Sequence, residues 1–393
     1  MKQIIMEWVA DFSCPGGDCG LTCCTGDWRI ILKDEEIEKY DSLPGEIRET
    51  ICSAIDFDKK ELKNHNGKCS LLDEDGYCKI VRMCGEELLS FTCTFFPRID
   101  KVFGNIEQIG VEILCPLVAK RLLENEAIRY FETEVEDDER VTADDVQMTY
   151  CNILAYIRGC LWEILEYLPG KYGTGKVCIL LNILLKLQEI FKDGNVDSEM
   201  IERILDSYSG ETVVNSFFEN CELMKGMYAQ HANAIHNVFL ETNANSILGD
   251  VLPLFKKYRP ELIDNLVVWL NNKELFISDY KEYARYFTDK YPMFTEKFLN
   301  YSLFISMMGY DPTMLNRRMY VRIYEQMIIH LTTMSLWKNS GEIDDKEMGI
   351  IISMIDRTCI NGGEKIIDRI YEYMKSYSDG KDGVMNLLLL FTA

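Results

Sequence analysis

The sequence predicts a mainly α protein in which a small, loop-rich cysteine-cluster domain with a short hairpin precedes an all-helical domain. Ten of the fifteen cysteines lie within the first 115 residues, many glycines accompany them, and helical periodicity begins only beyond residue 141. An acid-rich segment separates the two regions. We therefore expect a cysteine-rich metal-binding domain over residues 1–130, an acidic linker over 131–140 and a helical domain over 141–393.

Short elements are predicted within the first 130 residues. The segments KDEEIEKY (33–40) and GEELLSF (85–91) have the character of short helices. Residues 98–114 alternate apolar and polar side chains around Gly104 and Asn105, which predicts a hairpin. The Cys115-Pro116 pair predicts the start of a helix, because proline is favoured at the first helical position.

The segment ETEVEDDER, residues 132–140, carries six acidic residues and one arginine. A run of like charges is typical of a solvated linker, and this is the interpretation that we adopt. The alternative is an acidic surface that receives a cationic side chain.

Beyond the linker, apolar residues recur at spacings of three and four, which predicts amphipathic helices. Three such stripes stand out: Val146, Tyr150, Ile153, Ile157, Leu161, Ile164 and Leu168; Val214, Phe218, Cys221, Met224, Tyr228, His231, Ile235 and Phe239; and Leu315, Met319, Ile323, Met327 and Leu331. The simplest interpretation of these stripes is the core of packed helices.

The 393-residue chain has a formal net charge of −22, which argues against nucleic-acid binding because phosphate recognition needs a basic face. Strong acidity favours solubility, and it also suits a basic partner. The amino terminus lacks the pattern of a signal peptide, and the longest apolar run, residues 177–191, is too short and too interrupted to span a bilayer. We expect a cytoplasmic protein with no membrane contact.

A phosphate-loop spacing at Gly170 to Val177 is rejected as a nucleotide site. Val177 stands where a hydroxyl side chain should bind magnesium, and the preceding residues predict a helix where a strand is required. A glycine-rich turn between two helices explains the segment.

The cysteines predict a metal site. Cys14, Cys19, Cys23 and Cys24 lie within eleven residues among glycines, and Cys69, Cys78, Cys93 and Cys115 follow. In a reducing compartment such clusters favour metal binding over disulfides. Side chains of adjacent residues diverge, so Cys23 and Cys24 are not expected to share one ion; eight thiols suit two four-ligand sites or one site with spare thiols.

The spacing also bears on the metal. Structural zinc sites favour pairs of cysteines two to four residues apart, and the Cys-x2-Cys pair is missing here. This favours an iron–sulfur cluster, with zinc as the alternative metal.

Four ordered blocks carry a family resemblance: CPGGDCGLTCCTGDW, CSLLDEDGYCKI, GEELLSFTCTFFPR and LCP before a helix. They resemble the flagellin lysine-N-methylases, which belong to a wider group of cysteine-cluster proteins described as zinc- or iron-chelating. The resemblance implies an iron–sulfur-dependent protein lysine N-methyltransferase that acts on flagellin. It further implies S-adenosyl-L-methionine as the methyl donor and a [4Fe-4S] cluster.

The resemblance implies roles for individual residues as well. Its metal ligands are Cys14, Cys19, Cys23, Cys24, Cys69, Cys78, Cys93 and Cys115. Trp28, Gly85, Pro97 and Arg98 fit its pattern as structural or pocket residues. We expect Arg98 to bind the cofactor, by neutralising cluster sulfides or by holding a donor carboxylate, with a salt bridge as the alternative.

Other residues remain open at this stage. Cys52 and Cys84 are extra ligands or buried free thiols, and His65 is a possible ligand near Cys69, whereas His231 and His330 suit a helical core. The alternative functions are a non-catalytic iron–sulfur or zinc-binding protein and a cluster enzyme that modifies another peptide.

Overall fold

The structure, a computed structural model, describes residues 1–21, 23–25, 29–136, 139–141, 143–167, 173–191, 197–208, 215, 227–311, 314–360, 362–378 and 390. Several predicted features fall outside these ranges: Trp28, Leu168, the stripe residues from Val214 to Met224, residues 170–172 of the rejected phosphate loop and residues 137–138 of the acidic segment.

A four-stranded mixed sheet forms one layer of the molecule. It contains β1 (Lys2–Met6), β6 (Arg98–Phe103), β7 (Ile106–Val111) and β8 (Tyr130–Glu134), in the order β6-β7-β1-β8. Strands β6 and β7 form the predicted hairpin, whose register pairs Phe103 with Ile106. Gly104, in the two-residue turn, has a φ of 58°, a conformation that glycine adopts without steric cost. Strand β1 runs parallel to β7 and pairs Lys2 with Ile106.

The first four residues of the predicted acidic linker, 131–134, belong to a strand of this sheet. Strand β8 pairs antiparallel with β1, from Lys2 opposite Glu134 to Met6 opposite Tyr130. Its side chains from Phe131 to Glu134 are exposed, as expected for a solvated segment, but an edge position of the sheet fixes their backbone. Residues 131–134 are therefore a strand and not a linker; the remainder of the predicted boundary stays a prediction.

The loop-rich segment between β1 and β6 contains short elements: α1 (Asp34–Asp41), α2 (Gly45–Ser53), β2 (Ile55–Asp56), β3 (Glu61–Leu62), β4 (Asn64–His65), β5 (Lys68–Cys69), α3 (Lys79–Cys84) and α4 (Phe91–Phe95). A small core holds them together, made of Leu32, Tyr40, Ile51, Ala54, Ile55, Leu62, Leu71 and Ile80. The predicted helix at 33–40 corresponds to α1. The segment 85–91 contains only a 3-10 turn, Glu86–Leu88, before α4.

The rest of the described chain is helical. After α5 (Pro116–Arg121), which begins at the predicted proline, the helices are α6 (Asp145–Tyr167), α7 (Gly173–Phe191), α8 (Ser198–Ser207), α9 (Tyr228–Ala244), α10 (Ile247–Val251), α11 (Pro253–Tyr258), α12 (Glu261–Asn271), α13 (Lys273–Lys290), α14 (Phe294–Ser306), α15 (Met314–Ser340), α16 (Asp345–Cys359) and α17 (Glu364–Ser378). The predicted mainly helical class is confirmed.

One large apolar core joins the sheet to these helices. Ile4 and Met6 of β1 and Val111 of β7 belong to the same buried cluster as Leu161 and Ile351 of the helical region. The stripe residues of α15 are all buried in this core. In α6 the stripe residues Ile157 and Leu161 are buried, whereas Val146, at the start of the helix, is exposed. Across the described ranges, no helix is both long and apolar enough to cross a membrane.

Two contacts position helix α16 against the cysteine-bearing loops. A Cβ atom at Gly349 would lie 2.6 Å from the carbonyl oxygen of Pro116, so the absence of a side chain lets α16 approach α5 closely. The Ser353 hydroxyl donates to the carbonyl oxygen of Leu114. Helix α16 therefore holds the turn that precedes Cys115.

The rejected phosphate loop has a structural explanation at its lysine. Lys176 lies in α7, where its buried Nζ donates to the Oε1 atom of Glu296 at 3.0 Å. A lysine held in a buried ion pair is not presented to a nucleotide phosphate, in agreement with the sequence-based interpretation.

Candidate metal centre

Backbone hydrogen bonds bring together a first thiol group, defined as Cys24, Cys69, Cys78 and Cys93. The amide of Cys69 donates to the carbonyl oxygen of Cys24 at 2.9 Å. Leu72, whose amide donates to the Cys69 carbonyl, forms a bridge with Cys78. The short strand β5 therefore links three cysteines that are widely separated in sequence.

Cys93 reaches the same place from helix α4. The Ser90 hydroxyl caps this helix by accepting a hydrogen bond from the Cys93 amide at 3.3 Å. A cavity of about 260 Å³ lies between these elements, and thiols of Cys23, Cys24, Cys69 and Cys93 line it. Four cysteines predicted as ligands thus face one cavity.

The second thiol group is defined as Cys14, Cys19, Cys23 and Cys115. Cys19 ends a 3-10 turn, Gly16–Cys19, and Cys115 stands immediately before α5, so both are fixed by local structure. Both thiols are buried, with 8% and 7% of their surface exposed. Cys23 lies beside both groups, since it lines the cavity of the first and interacts electrostatically with Cys14 and Cys93.

The pKa values report the crowding of these thiols. Burial, together with the neighbouring Cys24 and Cys78, raises the pKa of Cys69 to about 11. Burial raises the pKa of Cys93 to about 12, with contributions from Cys24, Cys69 and Cys78. Each thiolate disfavours the next, so these groups remain protonated at neutral pH unless a cation compensates them.

The second group shows the same effect. The pKa of Cys23 is raised first by its hydrogen bond with the Cys24 thiol, and then by burial. Burial is the main cause for Cys19 and Cys115, and Cys14 raises the pKa of both. Cys14, Cys19 and Cys115 therefore interact with one another, and Cys23 interacts with thiols of both groups.

None of the eight predicted ligands forms a disulfide in the described part of the chain, so covalent pairing does not compete with metal binding. In the described part of the chain, however, no three His, Cys, Asp or Glu side chains converge to the distance at which they would hold an ion. The residues fit a metal by the chemistry and the number of their donor atoms. Thiolates bind soft metals, and two groups of four cysteines are enough for two four-ligand sites. The Cys23 thiol nevertheless hydrogen-bonds to the Cys24 thiol, so the side chains of these adjacent residues do not diverge as the sequence led us to expect.

Arg357 of α16 is a site residue that the sequence did not reveal. Its guanidinium donates to the carbonyl oxygen of Leu114 through Nε and Nη2, each at 3.1 Å, and to that of Thr25 through Nη1 at 3.2 Å. Burial lowers its pKa, while the thiols of Cys23, Cys115 and Cys19 oppose this change. The buried guanidinium of Arg357 thus interacts electrostatically with three thiols of the second group.

Glu112 is a second such residue. Its side chain lines the cavity of the first thiol group, and burial raises the pKa of its carboxyl, with Asp356 adding to the effect and Lys101 and Arg322 opposing it. Neither Glu112 nor Arg357 lies in a recognisable motif, and only the packing of distant elements brings them to the thiols.

Arg98, the residue expected to bind the cofactor, is placed at the start of β6. Its Nη2 donates to the carbonyl oxygen of Phe12 at 3.1 Å, and its guanidinium lies 5.3 Å from the centre of the Phe12 ring. These contacts anchor the segment that leads to Cys14, and the role of Arg98 in cofactor binding stays a prediction.

Other predicted residues take ordinary structural positions. Gly85 has a φ of 82° at the end of α3, where glycine is favoured. Cys52 packs beside the small core, and the exposed His65 lies in β4. His231 and His330 are buried, as expected for core residues.

A cleft of about 550 Å³ adjoins the second thiol group. One wall belongs to the loop-rich segment and includes Leu21, Thr25, Asn66 and Gly67. The opposite wall belongs to helices and the turn before α17, and it includes Asp250, Pro253, Leu254, Lys257, Tyr258, Arg357, Thr358, Gly362 and Ile366.

Comparison with known proteins identifies the family. Residues 175–390, more than half of the chain, match the family model described as the FliB lysine N-methylase C-terminal domain. The class that this description names is the protein lysine methyltransferases. The chain belongs to the FliB lysine N-methylase family, and the predicted resemblance is confirmed.

Individual relatives are similar over a shorter stretch. The flagellar biosynthetic protein FliU of Salmonella muenchen is 33% identical over 135 residues, which are 31% of this chain and 79% of that protein. Lysine-N-methylases of Salmonella choleraesuis and Salmonella typhimurium are each 33% identical over 135 residues. That stretch covers 33% of either enzyme, so the chain spans about a third of the length of these two relatives. No solved structure matches the chain.

Proposed function

We propose that this chain is an iron–sulfur-dependent protein lysine N-methyltransferase that transfers a methyl group from S-adenosylmethionine to lysine side chains of flagellin. The observation that carries the proposal is the family match over residues 175–390 in a chain whose amino-terminal third contains eight cysteines that form no disulfide among the described residues.

Flagellin as substrate is supported by the name of one relative, a flagellar biosynthetic protein, and by the names of two others, lysine-N-methylases. The net charge of −22 supports a lysine-bearing protein substrate, because an acidic surface attracts cationic side chains. A cytoplasmic location, where the substrate would be met before export, is part of the same proposal.

The metal would be held by the two thiol groups, with four cysteines for each centre. Zinc is the alternative metal. When bound, a cluster would supply folding free energy by linking loops far apart in sequence, together with a redox-active or Lewis-acidic iron centre. We also propose that the metal-binding region comprises residues 1–130 and that residues 141–393 form a helical domain.

The methyl transfer itself sets requirements on the protein. A free lysine ammonium has a pKa of about 10.4, so the ε-amine must lose a proton before it can act as a nucleophile. Its lone pair then forms a bond to the methyl carbon while the carbon–sulfur bond breaks, and S-adenosylhomocysteine leaves as a neutral thioether. A pocket that excludes water and holds both reactants in line supplies the main acceleration.

The test is a transfer assay. Full-length protein, purified and assayed without oxygen, is incubated with methyl-labelled S-adenosylmethionine and flagellin. We expect label in flagellin, located on lysine residues by mass spectrometry. Flagellin whose lysines have been acetylated is the matched control and should take up none.

One result would contradict the proposal: no label in flagellin although the protein contains its full complement of iron. The chain would then be a non-catalytic metal-binding member of the family, or it would modify a different peptide.

A further inference from the structure

The cleft of about 550 Å³ has the size and the location of a small-molecule site. Ligand cavities of roughly 300–1,000 Å³ are typical, and they favour junctions between structural units. Here the loop-rich segment supplies one wall and α10, α11, α16 and α17 supply the other. A ligand between them would therefore contact both parts of the chain.

The wall of the cleft presents an apolar surface beside charges of both signs. Leu254 and Tyr258 of α11 and Ile366 of α17 are half-buried and line it. Lys257, exposed on α11, brings an ammonium group, whose Nζ lies 4.8 Å from the centre of the Tyr258 ring. Asp250 brings a carboxylate, which is paired with Arg369. Such a surface suits a zwitterionic amino-acid group joined to a flat ring.

The cleft also adjoins the thiols. Leu21 and Thr25, which line it, flank Cys23 and Cys24 in the sequence. Arg357 belongs to the wall, and its guanidinium holds the carbonyl oxygen of Thr25 at 3.2 Å. Arg357 thus lies in the cleft wall and also interacts electrostatically with the thiols of Cys23, Cys115 and Cys19.

We propose that this cleft binds the methyl donor, with the donor carboxylate at Lys257 and its purine against Leu254, Tyr258 and Ile366. The inference rests on the proposed function, since that function requires a donor. It assigns to Lys257 the carboxylate contact that the sequence suggested for Arg98. A nucleotide offers phosphates but no amino-acid group, so ATP is the competing ligand that shares only part of this chemistry.

The test is a direct binding measurement, because S-adenosylhomocysteine is stable and binds without turnover. Its dissociation constant is measured by calorimetry on full-length protein purified without oxygen. Lys257→Glu should weaken binding by about tenfold or more, since a carboxylate would then face a carboxylate. Leu254→Trp should weaken it by a similar factor by filling the cleft. ATP should not displace the ligand.

Lys256→Glu is the matched control, because Lys256 is exposed on the same helix and is not part of the cleft wall. It changes the net charge as Lys257→Glu does, so it should leave the dissociation constant within about twofold of the parent value. Circular dichroism verifies that each variant is folded.

Unchanged binding in both Lys257→Glu and Leu254→Trp would overturn the cleft as the donor site, and so would tighter binding of ATP than of S-adenosylhomocysteine. The proposed function fails separately. Flagellin labelling with unaffected donor binding in the variants refutes the cleft alone, whereas cleft-dependent donor binding without labelling of any lysine refutes the methylation of flagellin alone.

Discussion

Arg357 donates two hydrogen bonds of 3.1 Å to the carbonyl oxygen of Leu114, the residue immediately before Cys115. The same guanidinium reaches the carbonyl oxygen of Thr25, next to Cys24, at 3.2 Å. One side chain of the helical region thus fastens two cysteine-bearing loops that are about ninety residues apart in sequence. Arg357 lies within residues 175–390, the segment that matches the family model, and it contacts the loops that carry the thiol groups.

Replacement of Arg357 tests this link. Arg357→Leu removes three hydrogen bonds, two to the Leu114 carbonyl oxygen, which keeps the Ser353 hydroxyl as a donor, and one to that of Thr25; each contributes about 0.5–1.5 kcal/mol net. We expect a loss of about 2–4 kcal/mol in the free energy of unfolding, measured by urea denaturation. Arg203→Leu, at an exposed arginine that pairs with the exposed Glu199 in α8, should change it by less than about 0.5 kcal/mol. Equal effects of the two substitutions would show that Arg357 does not clamp the loops.

The close approach of α16 to α5 predicts a strong effect at Gly349. A Cβ atom there would lie 2.6 Å from the Pro116 carbonyl oxygen and 3.3 Å from the Lys120 amide nitrogen, so Gly349→Ala must separate the two helices. We expect a loss of about 1–3 kcal/mol in the free energy of unfolding, measured by thermal or urea denaturation. Gly249→Ala in α10 is the control, because among the described residues no atom outside its own helix lies within 4 Å of a Cβ atom at that position. A neutral Gly349→Ala variant would contradict the packing described here.

The two thiol groups predict how metal content responds to single substitutions. Cys69→Ser removes one ligand of the first group and Cys115→Ser one ligand of the second, so each should lower the bound iron by about half and the double variant by nearly all. Cys52→Ser is the control, because Cys52 belongs to neither group and packs beside the small core. Iron is measured by elemental analysis of anaerobic protein. If either single substitution abolished all the iron, one shared centre would replace the two proposed here.

A buried histidine predicts a pH dependence of stability. His330 is fully buried, and burial lowers its pKa from 6.5 to about 4. The group that faces it, the Tyr283 hydroxyl, lies 3.2 Å from its Nδ1 atom and stays neutral, since burial raises the pKa of Tyr283 well above 10. The folded state therefore binds fewer protons than the unfolded state between about pH 6.5 and pH 4.

The contribution of the neutral His330 side chain to the free energy of unfolding should accordingly be fully present above about pH 6.5 and decline as the pH falls. The pKa difference at His330 corresponds to a loss of about 2 kcal/mol between pH 7 and pH 5. This loss is measured by urea denaturation of the parent protein and of His330→Gln at pH 7 and pH 5. Any loss caused by acid-labile metal is common to the two proteins, so the difference between their losses reports His330 alone. A pH-dependent loss of equal size in the two proteins would refute the assignment to His330.

Several elements followed from local sequence alone. The Gly104-Asn105 turn specified the hairpin of β6 and β7, Pro116 marked the start of α5, and the spacing of Ile153, Ile157 and Leu161 specified α6. In each case a few neighbouring residues contain the whole signal, because turn geometry, helix initiation and helical periodicity are local properties.

Other features depend on distant partners and could not be predicted. Strand β1 is five residues long, and its neighbours β7 and β8 lie about a hundred residues away, so nothing in its own sequence specifies the pairing. The eight cysteines were identifiable from spacing, but their division into two groups depends on the backbone link between Cys24 and Cys69. Arg357 reaches the thiols only through the packing of α16 on α5.

The most direct test of the account is the iron and acid-labile sulfide content of full-length protein purified without oxygen. The thiol groups predict iron and labile sulfide in equal molar amounts, with loss of both when Cys24, Cys69, Cys78 and Cys93 and then Cys14, Cys19, Cys23 and Cys115 are replaced by serine. Protein that binds zinc alone, or that carries no metal while all eight thiols react freely with a thiol reagent, would contradict the proposed iron–sulfur centres.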